Sequence, residues 1–228
     1  MSASHPAKRA AATAAADLVE DGMCLGLGSG STFLLVIERL GQRIAEEGLK
    51  LSGVPTSNQT AEAAAMVGIE VLDLASVETL DLAIDGADEI DGHKNMIKGG
   101  GAAHTREKIV AATAREMVVV VDDSKLVDTL GLAFKLPVEI LEFGWRQAQR
   151  AIASTGCEPV LRAHDDQPVR TDNGNLIVDC SYENGIEDAA WLHDQLNALP
   201  GVLDNGLFAH TAGRVIVGDA DGKVRTIP

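Results

Sequence analysis

The first 130 residues alternate short apolar runs with amphipathic segments, and the apolar runs end in small polar or charged residues. Residues 80–85 and 118–121 have the length and composition of strands. Residues 33–40 and 105–115 instead have the period of helices. A repeated strand-then-helix order predicts an α/β fold with parallel strands. Because the carboxyl ends of parallel strands meet at one edge of a sheet, we expect the polar groups that follow them to lie together there.

A different pattern begins after about residue 130. Strands are predicted at 135–142, 159–163, 175–180 and 202–204, and helices at 145–155 and 188–199. This β-α-β-β-α-β order is ferredoxin-like. Residues 215–218 then predict one more strand, which returns to the first sheet. We therefore predict a Rossmann-like open-sheet domain formed by residues 1–130 and 207–228, with a ferredoxin-like α+β domain inserted at 131–206.

Length and charge exclude several classes of protein. At 228 residues and 46% hydrophobic composition, the chain can bury a real core. Its formal net charge of -15 argues against a general nucleic-acid or anionic-membrane partner, whose binding depends on basic surface. No stretch approaches the roughly 18 apolar residues of a membrane span. Asp17 and Glu20 make the alanine-rich start an amphipathic helix rather than a targeting peptide, and we expect a cytoplasmic location.

The rarer residue types predict packing rather than chemistry. Trp145 and Trp191 fall on the two helices of the inserted domain and are expected in its core. Cys24, Cys157 and Cys180 are odd in number and far apart, which predicts buried free thiols in a reducing compartment. The six histidines do not fall at ligand spacing with one another or with a cysteine, so no metal site is expected.

The most unusual composition lies between residues 85 and 107, where acids, a lysine and three glycines follow one another. Glycines at 99–101 cost backbone entropy and provide no side chain, so they indicate a loop whose N–H groups approach a ligand. Lys98 supplies a cation, and Glu107 lies early in the predicted helix. An isolated helical Glu usually interacts with solvent or neighbouring cations. The adjacent glycines and Lys98 favour a general base in a partly dry pocket.

Asp85 and Asp88 allow two interpretations. Asp before Gly or Glu at a strand end often forms turns and caps, which is a purely structural role. Glu89 and Asp91 lie beside them, however, and a dense cluster of like charges is destabilising unless solvent, a cation or a ligand's hydroxyl groups relieve it. Sugar hydroxyls or Lys98 would serve, so the cluster indicates a polar ligand.

A second glycine-rich turn, residues 22–32, runs from an apolar strand into the first long helix. Such a turn is a typical anion site, because N–H groups and the positive end of the helix dipole point at the ligand. Ser31 or Thr32 is the predicted N-cap. The turn lacks the third glycine of a dinucleotide fingerprint, the lysine of a Walker A loop and the first glycine of a nucleophile elbow. What remains is a small-anion site lined with hydroxyl groups.

Two further strand ends carry polar groups. Thr56 and Ser57 precede an alanine-rich helix predicted at 61–67, and residues 122–125 end an apolar strand at a lysine. Each segment by itself is typical of helix capping. With the two segments above, however, four strand ends would place small polar or charged groups at one sheet edge.

Together these motifs resemble those of type A ribose-5-phosphate isomerases over the whole length of the chain. The matching segments are 28–32 (GSGST), 56–57 (TS), 85–90 (DGADEI), 98–103 (KGGGAA), 105–108 (TREK), 123–125 (DSK) and 136–139 (LPVE). The resemblance implies that Glu107 transfers the proton and that Asp85, Asp88 and Lys98 act in ring opening and hold the sugar oxygens. It implies substrate contacts from Ser29, Gly30, Ser31, Thr32, Asp85, Gly86, Ala87, Asp88, Lys98, Gly99, Gly100, Gly101 and Lys125.

Three positions qualify the resemblance. Lys8 is similar to a basic residue that some relatives use as an extra phosphate contact. Ser29 stands where relatives usually have Thr, which keeps the hydroxyl group. His104 stands where an aliphatic residue is frequent, and this departure would change the surroundings of Glu107.

The reaction implied is the interconversion of D-ribose 5-phosphate and D-ribulose 5-phosphate through an enediolate, in the non-oxidative pentose phosphate pathway. One carboxylate moves a proton between adjacent carbons, while cations and N–H groups hold the enediolate oxygen. We expect no cofactor and no metal. The resemblance also implies a homo-oligomer, a dimer or a tetramer, with the inserted domain involved in oligomerisation and a sugar phosphate as the small-molecule partner.

Two other functions fit part of the pattern. A coenzyme A transferase of related architecture would use a Glu as nucleophile, but Lys98 and the short hydroxyl-rich loop favour a sugar phosphate. A sugar-phosphate sensor of a transcription regulator should carry a helix-turn-helix with a basic face, and no such segment is evident in the sequence.

Overall fold

The computed structural model describes residues 6–228, so that residues 1–5 of the first predicted domain, including His5, lie outside the described residues. The helices are α1 Pro6–Ala16, α2 Gly30–Glu47, α3 Asn58–Met66, α4 His104–Thr113, α5 Trp145–Ala153 and α6 Ala189–Asn197. The strands are β1 Cys24–Leu27, β2 Ser52–Pro55, β3 Glu70–Val71, β4 Leu82–Asp85, β5 Glu89–Ile90, β6 Met96–Ile97, β7 Met117–Asp122, β8 Leu136–Ile140, β9 Glu158–Leu161, β10 Ala163–His164, β11 Gln167–Pro168, β12 Leu176–Ser181, β13 Val202–Asn205, β14 Leu207–Phe208, β15 Arg214–Gly218 and β16 Val224–Ile227. Two 3₁₀ helices lie at Leu74–Ser76 and Asp123–Lys125.

Contacts divide the chain into two units. The first unit runs to residue 87 and adds residues 106–125 and 211–228, whereas the second holds residues 88–105 and 126–210. The predicted boundaries near residues 130 and 207 concern domains that fold independently, and they remain a prediction.

The first unit is built on a seven-stranded sheet in the order β16-β15-β7-β4-β1-β2-β3. The six strands from β15 to β3 pair in parallel, and β16 is antiparallel to β15. From β1 the chain proceeds in one direction to β2 and β3, and from β4 it proceeds in the other to β7 and β15. The predicted open α/β sheet is therefore confirmed, and its strand order reverses between β1 and β4.

The central strands β4 and β7 of this sheet are more deeply buried than a half-exposed strand would be. All four residues of β4 and all six of β7 are buried, as in a parallel sheet covered on both faces. Helix α1 lies directly on β15, because a Cβ placed on Gly218 would be 2.0 Å from the carbonyl oxygen of Ala7. Close backbone approach of this kind requires glycine.

The second unit contains a four-stranded antiparallel sheet in the order β13-β8-β12-β9. Its elements follow one another as β8-α5-β9-β12-α6-β13, so the predicted ferredoxin-like order is confirmed. Leu136, Val138 and Ile140 of β8 pack with Ile152 of α5 and Leu196 of α6 in one buried cluster. The unit also holds the small antiparallel sheet β14-β6-β5 and the hairpin β10-β11, which the sequence pattern did not predict.

The predicted N-cap of α2 is wrong. The helix begins at Gly30, and Ser29 has the extended backbone of an N-cap, with φ -128° and ψ 168°. Ser31 and Thr32 therefore lie inside the first turn. The Ser29 hydroxyl group makes no capping bond to the helix and lies instead 2.6 Å from Thr56 Oγ1.

The prediction of buried rare residues is wrong in part. Trp191 is 56% exposed, because Leu192 and Leu196 occupy the inward face of α6. Trp145 is half-buried and packs against the cluster of the second unit. The three cysteines are free as predicted, but of these Cys180 alone is fully buried.

Membrane insertion is a separate question. Among residues 6–228, no helix combines the length and the apolar character needed to cross a bilayer.

The N-cap of α6 gives a test of the fold. Asp188 accepts a hydrogen bond from Trp191 N–H at 2.9 Å. We expect Asp188→Ala to lower the free energy of unfolding by about 1 kcal/mol, because a helix N–H loses its acceptor. The measurement is urea unfolding followed by circular dichroism. The neighbouring exposed Glu187→Ala is the control, and equal losses in both variants would contradict the assigned cap.

Candidate active site

The carboxyl ends of β1, β2, β4 and β7 lie along one edge of the first sheet, since these four parallel strands are neighbours. The predicted polar segments follow those ends: residues 28–32 after β1, Thr56 after β2, Asp85 on β4 and Asp122 on β7. Open α/β sheets hold ligands outside this edge, at the point where the strand order reverses. Because the strand order reverses between β1 and β4, we expect the ligand site to lie beside residues 28 and 85.

The loop after β1 holds the Asp85 carboxylate. Asp85 is 4% exposed, and its Oδ1 accepts hydrogen bonds from the N–H groups of Ser29 at 3.0 Å and Gly86 at 2.8 Å. A Cβ on Gly28 would lie 2.2 Å from the same oxygen, so the contact requires glycine there. Because Ser29 N–H already binds this carboxylate, the anion site predicted for the loop would use the N–H groups of residues 30–32.

Hydroxyl groups of residues that follow β2 hold the same loop in place. Ser29 Oγ lies 2.6 Å from Thr56 Oγ1, and Thr56 is 1% exposed. Thr60 Oγ1 donates to the Gly28 carbonyl oxygen at 2.8 Å. Ser57 caps α3 by accepting from Thr60 N–H at 3.1 Å. Thr56 therefore belongs to the loop's surroundings, whereas Ser57 has the structural role expected of a cap.

Glu107 lies in the first turn of α4 and is 6% exposed. It lines a small cavity with Asp85 and Gly28. Helix α4 approaches β1 closely, because a Cβ on Gly26 would be 2.6 Å from Val110 Cγ1. A carboxylate almost removed from water, with a second acid beside the same cavity, is a typical arrangement for proton transfer.

Lys125 lies at the far side of the same sheet edge, at the end of the 3₁₀ helix after β7. It lines a cavity of about 430 Å³ with Lys8 of α1, Asp122 and Ser124. Ser124 donates its backbone N–H at 3.0 Å and its hydroxyl group to Asp122 Oδ1. Burial raises the pKa of Asp122, but the bonds from Ser124 and the charges of Lys8 and Lys125 outweigh it and hold this pKa below its ordinary value.

The charge of this cavity follows from its ion pairs. Asp123 lines the cavity and is paired with Arg225 at 2.9 Å. The ionised Asp122 balances one of the two lysines that face it. The other lysine leaves a local positive charge, which suits an anion such as a phosphate group even in a strongly acidic protein.

In the second unit, Asp88 and the glycine loop bind each other. Gly100 donates its N–H to Asp88 Oδ2 at 2.8 Å, and Asp88 N–H donates to the Ile97 carbonyl oxygen at 2.8 Å. A Cβ on Gly100 would lie 2.8 Å from Asp88 Oδ1. Lys98 precedes the loop and is 3% exposed, with Nζ 5.5 Å from the centre of the Phe208 ring. A cation over an aromatic face gains electrostatic stabilisation.

His104 packs beneath the glycine loop. It is fully buried, and its Nε2 lies 3.4 Å from the Asp204 carbonyl oxygen. Gly99 has φ +104°, and a Cβ there would be 2.6 Å from His104 Nδ1. The histidine at position 104, where relatives frequently have an aliphatic residue, therefore packs against the glycine loop of the second unit. Its effect on Glu107 remains a prediction.

Arg162 is a residue that sequence reasoning missed. It forms a two-pronged ion pair with Asp179 at 2.5 and 2.9 Å and donates to the carbonyl oxygens of Gly99 at 2.9 Å and Gly100 at 3.2 Å. A single side chain, 62 and 63 positions away, thus holds the backbone of Gly100 and Gly99. The only signal in the sequence was a pair of opposite charges in or beside predicted strands, which does not reveal the partner.

Two acids of the cluster, Glu89 and Asp91, have their charges satisfied by N–H groups in two different ways. Glu89 is 2% exposed and accepts bonds from the N–H groups of Gly131, Ala133 and Phe134 at 2.7, 3.2 and 2.7 Å. Asp91 accepts from its own turn, including Asn95 N–H at 2.8 Å. These two acids therefore have structural roles, and a ligand is not needed to relieve them.

The predicted site residues fall into two sets, one in each unit. The first unit holds Ser29, Gly30, Ser31, Thr32, Asp85, Gly86, Ala87, Glu107 and Lys125, and the second holds Asp88, Lys98, Gly99, Gly100 and Gly101. Within residues 6–228, no group of three or more His, Cys, Asp and Glu side chains is placed to hold a metal ion.

Comparisons with known proteins agree on one family. The model of the family described as ribose 5-phosphate isomerase A (phosphoriboisomerase A) matches residues 52–222. Ribose-5-phosphate isomerase A of Thermomicrobium roseum is 51% identical over 218 residues, which cover 95% of this chain and 91% of that protein. The solved structure of ribose 5-phosphate isomerase A from Methanocaldococcus jannaschii superposes with a TM-score of 0.91 at 44% identity, covering 96% of this chain and 97% of that one. A D-ribose-5-phosphate isomerase solved in complex with phospho-erythronic acid superposes with a TM-score of 0.92 at 38% identity, covering 96% of each chain.

The lysine-lined cavity gives a test that needs no ligand. We expect Ser124→Ala to raise the pKa of Asp122, because the carboxylate loses a hydroxyl donor. In the native protein this pKa is depressed. The stability that the ionised Asp122 contributes is therefore present at pH values above the ordinary Asp pKa of about 3.9. It is lost as the pH falls through the lower pKa of the folded state. Carboxyl NMR titration measures the change, and Ser76→Ala, whose hydroxyl group donates to a backbone oxygen, is the control. An unchanged Asp122 titration would contradict the assignment.

Proposed function

This chain belongs to the ribose 5-phosphate isomerase A family, and on that premise we propose that Glu107 carries the proton between C2 and C1 of the sugar. The chain is a ribose-5-phosphate isomerase of the pentose phosphate pathway, interconverting D-ribose 5-phosphate and D-ribulose 5-phosphate. Membership of this family decides against the coenzyme A transferase and the transcriptional sensor considered above. The proposal concerns the residues that perform the reaction.

The observation that carries the proposal is the position of Glu107. Glu107 is 6% exposed, lies in the first turn of α4 and lines the cavity that Asp85 also lines. The isomerisation removes a proton from C2 of the open-chain aldose and delivers one to C1, with the carbonyl group moving from C1 to C2. A single buried carboxylate can perform both transfers, because it receives the proton in the first step and returns it in the second.

Asp85, Asp88 and Lys98 are assigned to ring opening and to the sugar oxygens. Opening the furanose ring removes a proton from the C1 hydroxyl group and adds one to the ring oxygen, so an acid and a base are needed. The enediolate then carries negative charge on oxygen, which a buried ammonium group such as that of Lys98 stabilises strongly. Within the glycine loop, the N–H groups of Gly99 and Gly101 are suited to the same task, whereas the Gly100 N–H group binds Asp88.

The phosphate group is assigned to residues 29–32 together with Lys125, with Lys8 as an additional contact. Helix α2 has 18 residues, and its N-terminal N–H groups and dipole favour an anion. Lys8 and Lys125 line one cavity with local positive charge. A relative was solved in complex with phospho-erythronic acid, a phosphorylated sugar acid, which supports a sugar phosphate as the ligand of this chain.

Assembly and location belong to the same proposal. We assign a homodimer or homotetramer in which residues 131–206 take part in the interface, and a cytoplasmic location. No cofactor or metal is included in the reaction. Sedimentation velocity of the purified chain tests the assembly, and a monomer at micromolar concentration would overturn it.

Glu107→Gln tests the role of the base. We expect turnover to fall by about 10²-fold or more while substrate binding persists, because the amide cannot accept the proton. The measurement is ribulose 5-phosphate formation from ribose 5-phosphate, with EDTA present. Glu62→Gln, which changes an exposed helical glutamate, is the control and should match the native enzyme. Near-native turnover of Glu107→Gln would refute the assignment.

The route of the proton gives an independent test. A carboxylate that holds the proton can exchange it with solvent before delivery to C1. We therefore expect the reaction in heavy water to place deuterium at C1 of the ketose above a no-enzyme control, as measured by NMR of the product. Unlabelled product, with activity lost on chelation and restored by a divalent metal, would instead indicate a metal-assisted hydride shift.

Lys125→Ala and Ser31→Ala test the phosphate contacts. We expect each to raise KM more than it lowers kcat, with about a tenfold or larger rise for Lys125→Ala, because the phosphate group does not react. Steady-state kinetics measure the two constants. The exposed Lys223→Ala controls for the loss of one surface charge. Equal use of ribose and ribose 5-phosphate by the native enzyme would contradict the phosphate site.

A further inference from the structure

Glu139 is a buried acid for which the reaction described above has no use. It lies on β8 and is 0% exposed, between the core residues Val138 and Ile140. Glutamate is almost never fully buried unless it is paired, because removing its charge from water is expensive. A carboxylate at this position therefore needs a set of donors that compensates its burial.

The donors reach the two oxygens of Glu139 from two segments. Oε1 accepts hydrogen bonds from Thr171 Oγ1 at 2.8 Å, Asn173 Nδ2 at 3.1 Å and Asn175 Nδ2 at 2.8 Å. Oε2 accepts from Thr105 Oγ1 at 2.5 Å. One oxygen thus binds the turn before β12, and the other binds the start of α4.

These bonds keep the acid ionised. Burial raises the pKa of Glu139, but the bonds from Thr105, Asn175, Thr171 and Asn173 outweigh it and hold the pKa below its ordinary value. A hydroxyl group that donates to an ionised carboxylate forms a charge-assisted hydrogen bond, which is about twice as strong as a neutral one. A strong hydrogen bond therefore joins Glu139 to Thr105 at the start of α4.

Thr105 is the second residue of α4, and Glu107 is the fourth. Two residues of an α-helix correspond to about 200° of rotation and about 3 Å of rise, so the two side chains leave the first turn on nearly opposite sides. A bond that fixes Thr105 on one side therefore sets the rotation of the turn and, with it, the direction of the Glu107 side chain. Misplacement of a reacting group by about 1 Å can cost about 10²-fold in rate.

We propose that Glu139 is a positioning residue for the isomerisation: through Thr105 it fixes the first turn of α4 and thereby orients the Glu107 carboxyl group. The acid does not touch the substrate and acts only through the helix. This role rests on the proposed function of Glu107 as the base.

The test compares two threonines that donate to the same carboxylate. Thr105→Val and Thr171→Val each remove one hydroxyl donor from Glu139 with nearly unchanged shape, but Thr105 alone belongs to α4. We expect Thr105→Val to lower kcat about tenfold or more with little change in KM, and Thr171→Val to keep kcat within about twofold. Urea unfolding of both variants measures the stability that each donor contributes.

Rescue separates positioning from general damage. We expect Thr105→Ser, which keeps the hydroxyl group, to retain kcat within about threefold, and Glu139→Gln to lower kcat as Thr105→Val does. If Glu139→Gln does not fold, the two threonine variants still decide the question. Equal kcat values for Thr105→Val and Thr171→Val, or a Thr105→Ser variant as slow as Thr105→Val, would overturn the proposal.

Glu107→Gln assayed in parallel distinguishes the two proposals. If Glu107→Gln is inactive and Thr105→Val keeps native kcat, the positioning role fails and the base remains. If Glu107→Gln keeps native kcat, the assignment of the base fails, and the positioning role fails with it.

Discussion

The contact between Gly28 and the Asp85 carboxylate is the constraint on which the first unit's site depends. A Cβ at position 28 would lie 2.2 Å from Asp85 Oδ1, so the loop after β1 can close over the end of β4 only without a side chain there. The closed loop then donates Ser29 N–H to that carboxylate. Asp85 also lines the cavity of Glu107, at the reversal of strand order where open α/β sheets generally hold their ligands.

The three glycines at 99–101 show that one sequence signal can have several physical causes. Gly99 has a backbone angle that other residues avoid and packs against the buried ring of His104. Gly100 gives its N–H to Asp88, with which a Cβ would collide. A Cβ on Gly101 would meet nothing within 4 Å. The sequence correctly indicated a loop with unusual backbone demands, but it could not assign these separate roles.

Local patterns predicted most of the fold, because strands, helices and their order depend on residues close in sequence. The alternating β/α order and the ferredoxin-like order are both present in the structure. The family and its activity were predicted from the combined motifs, and the comparisons confirm them. The roles of individual site residues remain predictions.

What the sequence could not predict depends on partners far along the chain. Glu89 was grouped with Asp85 and Asp88 because the three are adjacent in sequence, yet its charge is satisfied by N–H groups from residues 131–134. The N-cap of α2 was misplaced because the Ser29 hydroxyl group has its partner on another strand. The role of Arg162 is not visible in the sequence, because its contacts with Asp179, Gly99 and Gly100 form only in the folded chain.

The close packing of α1 on β15 has a consequence for the choice among sugar phosphates. The Ala7 carbonyl oxygen lies against Gly218, so the backbone of the adjacent Lys8 is held by helix packing on β15. If Lys8 and Lys125 hold the phosphate group as proposed, the sheet fixes the distance between that phosphate group and Glu107. On that proposal, a sugar phosphate one carbon shorter or longer would place a different carbon beside the base.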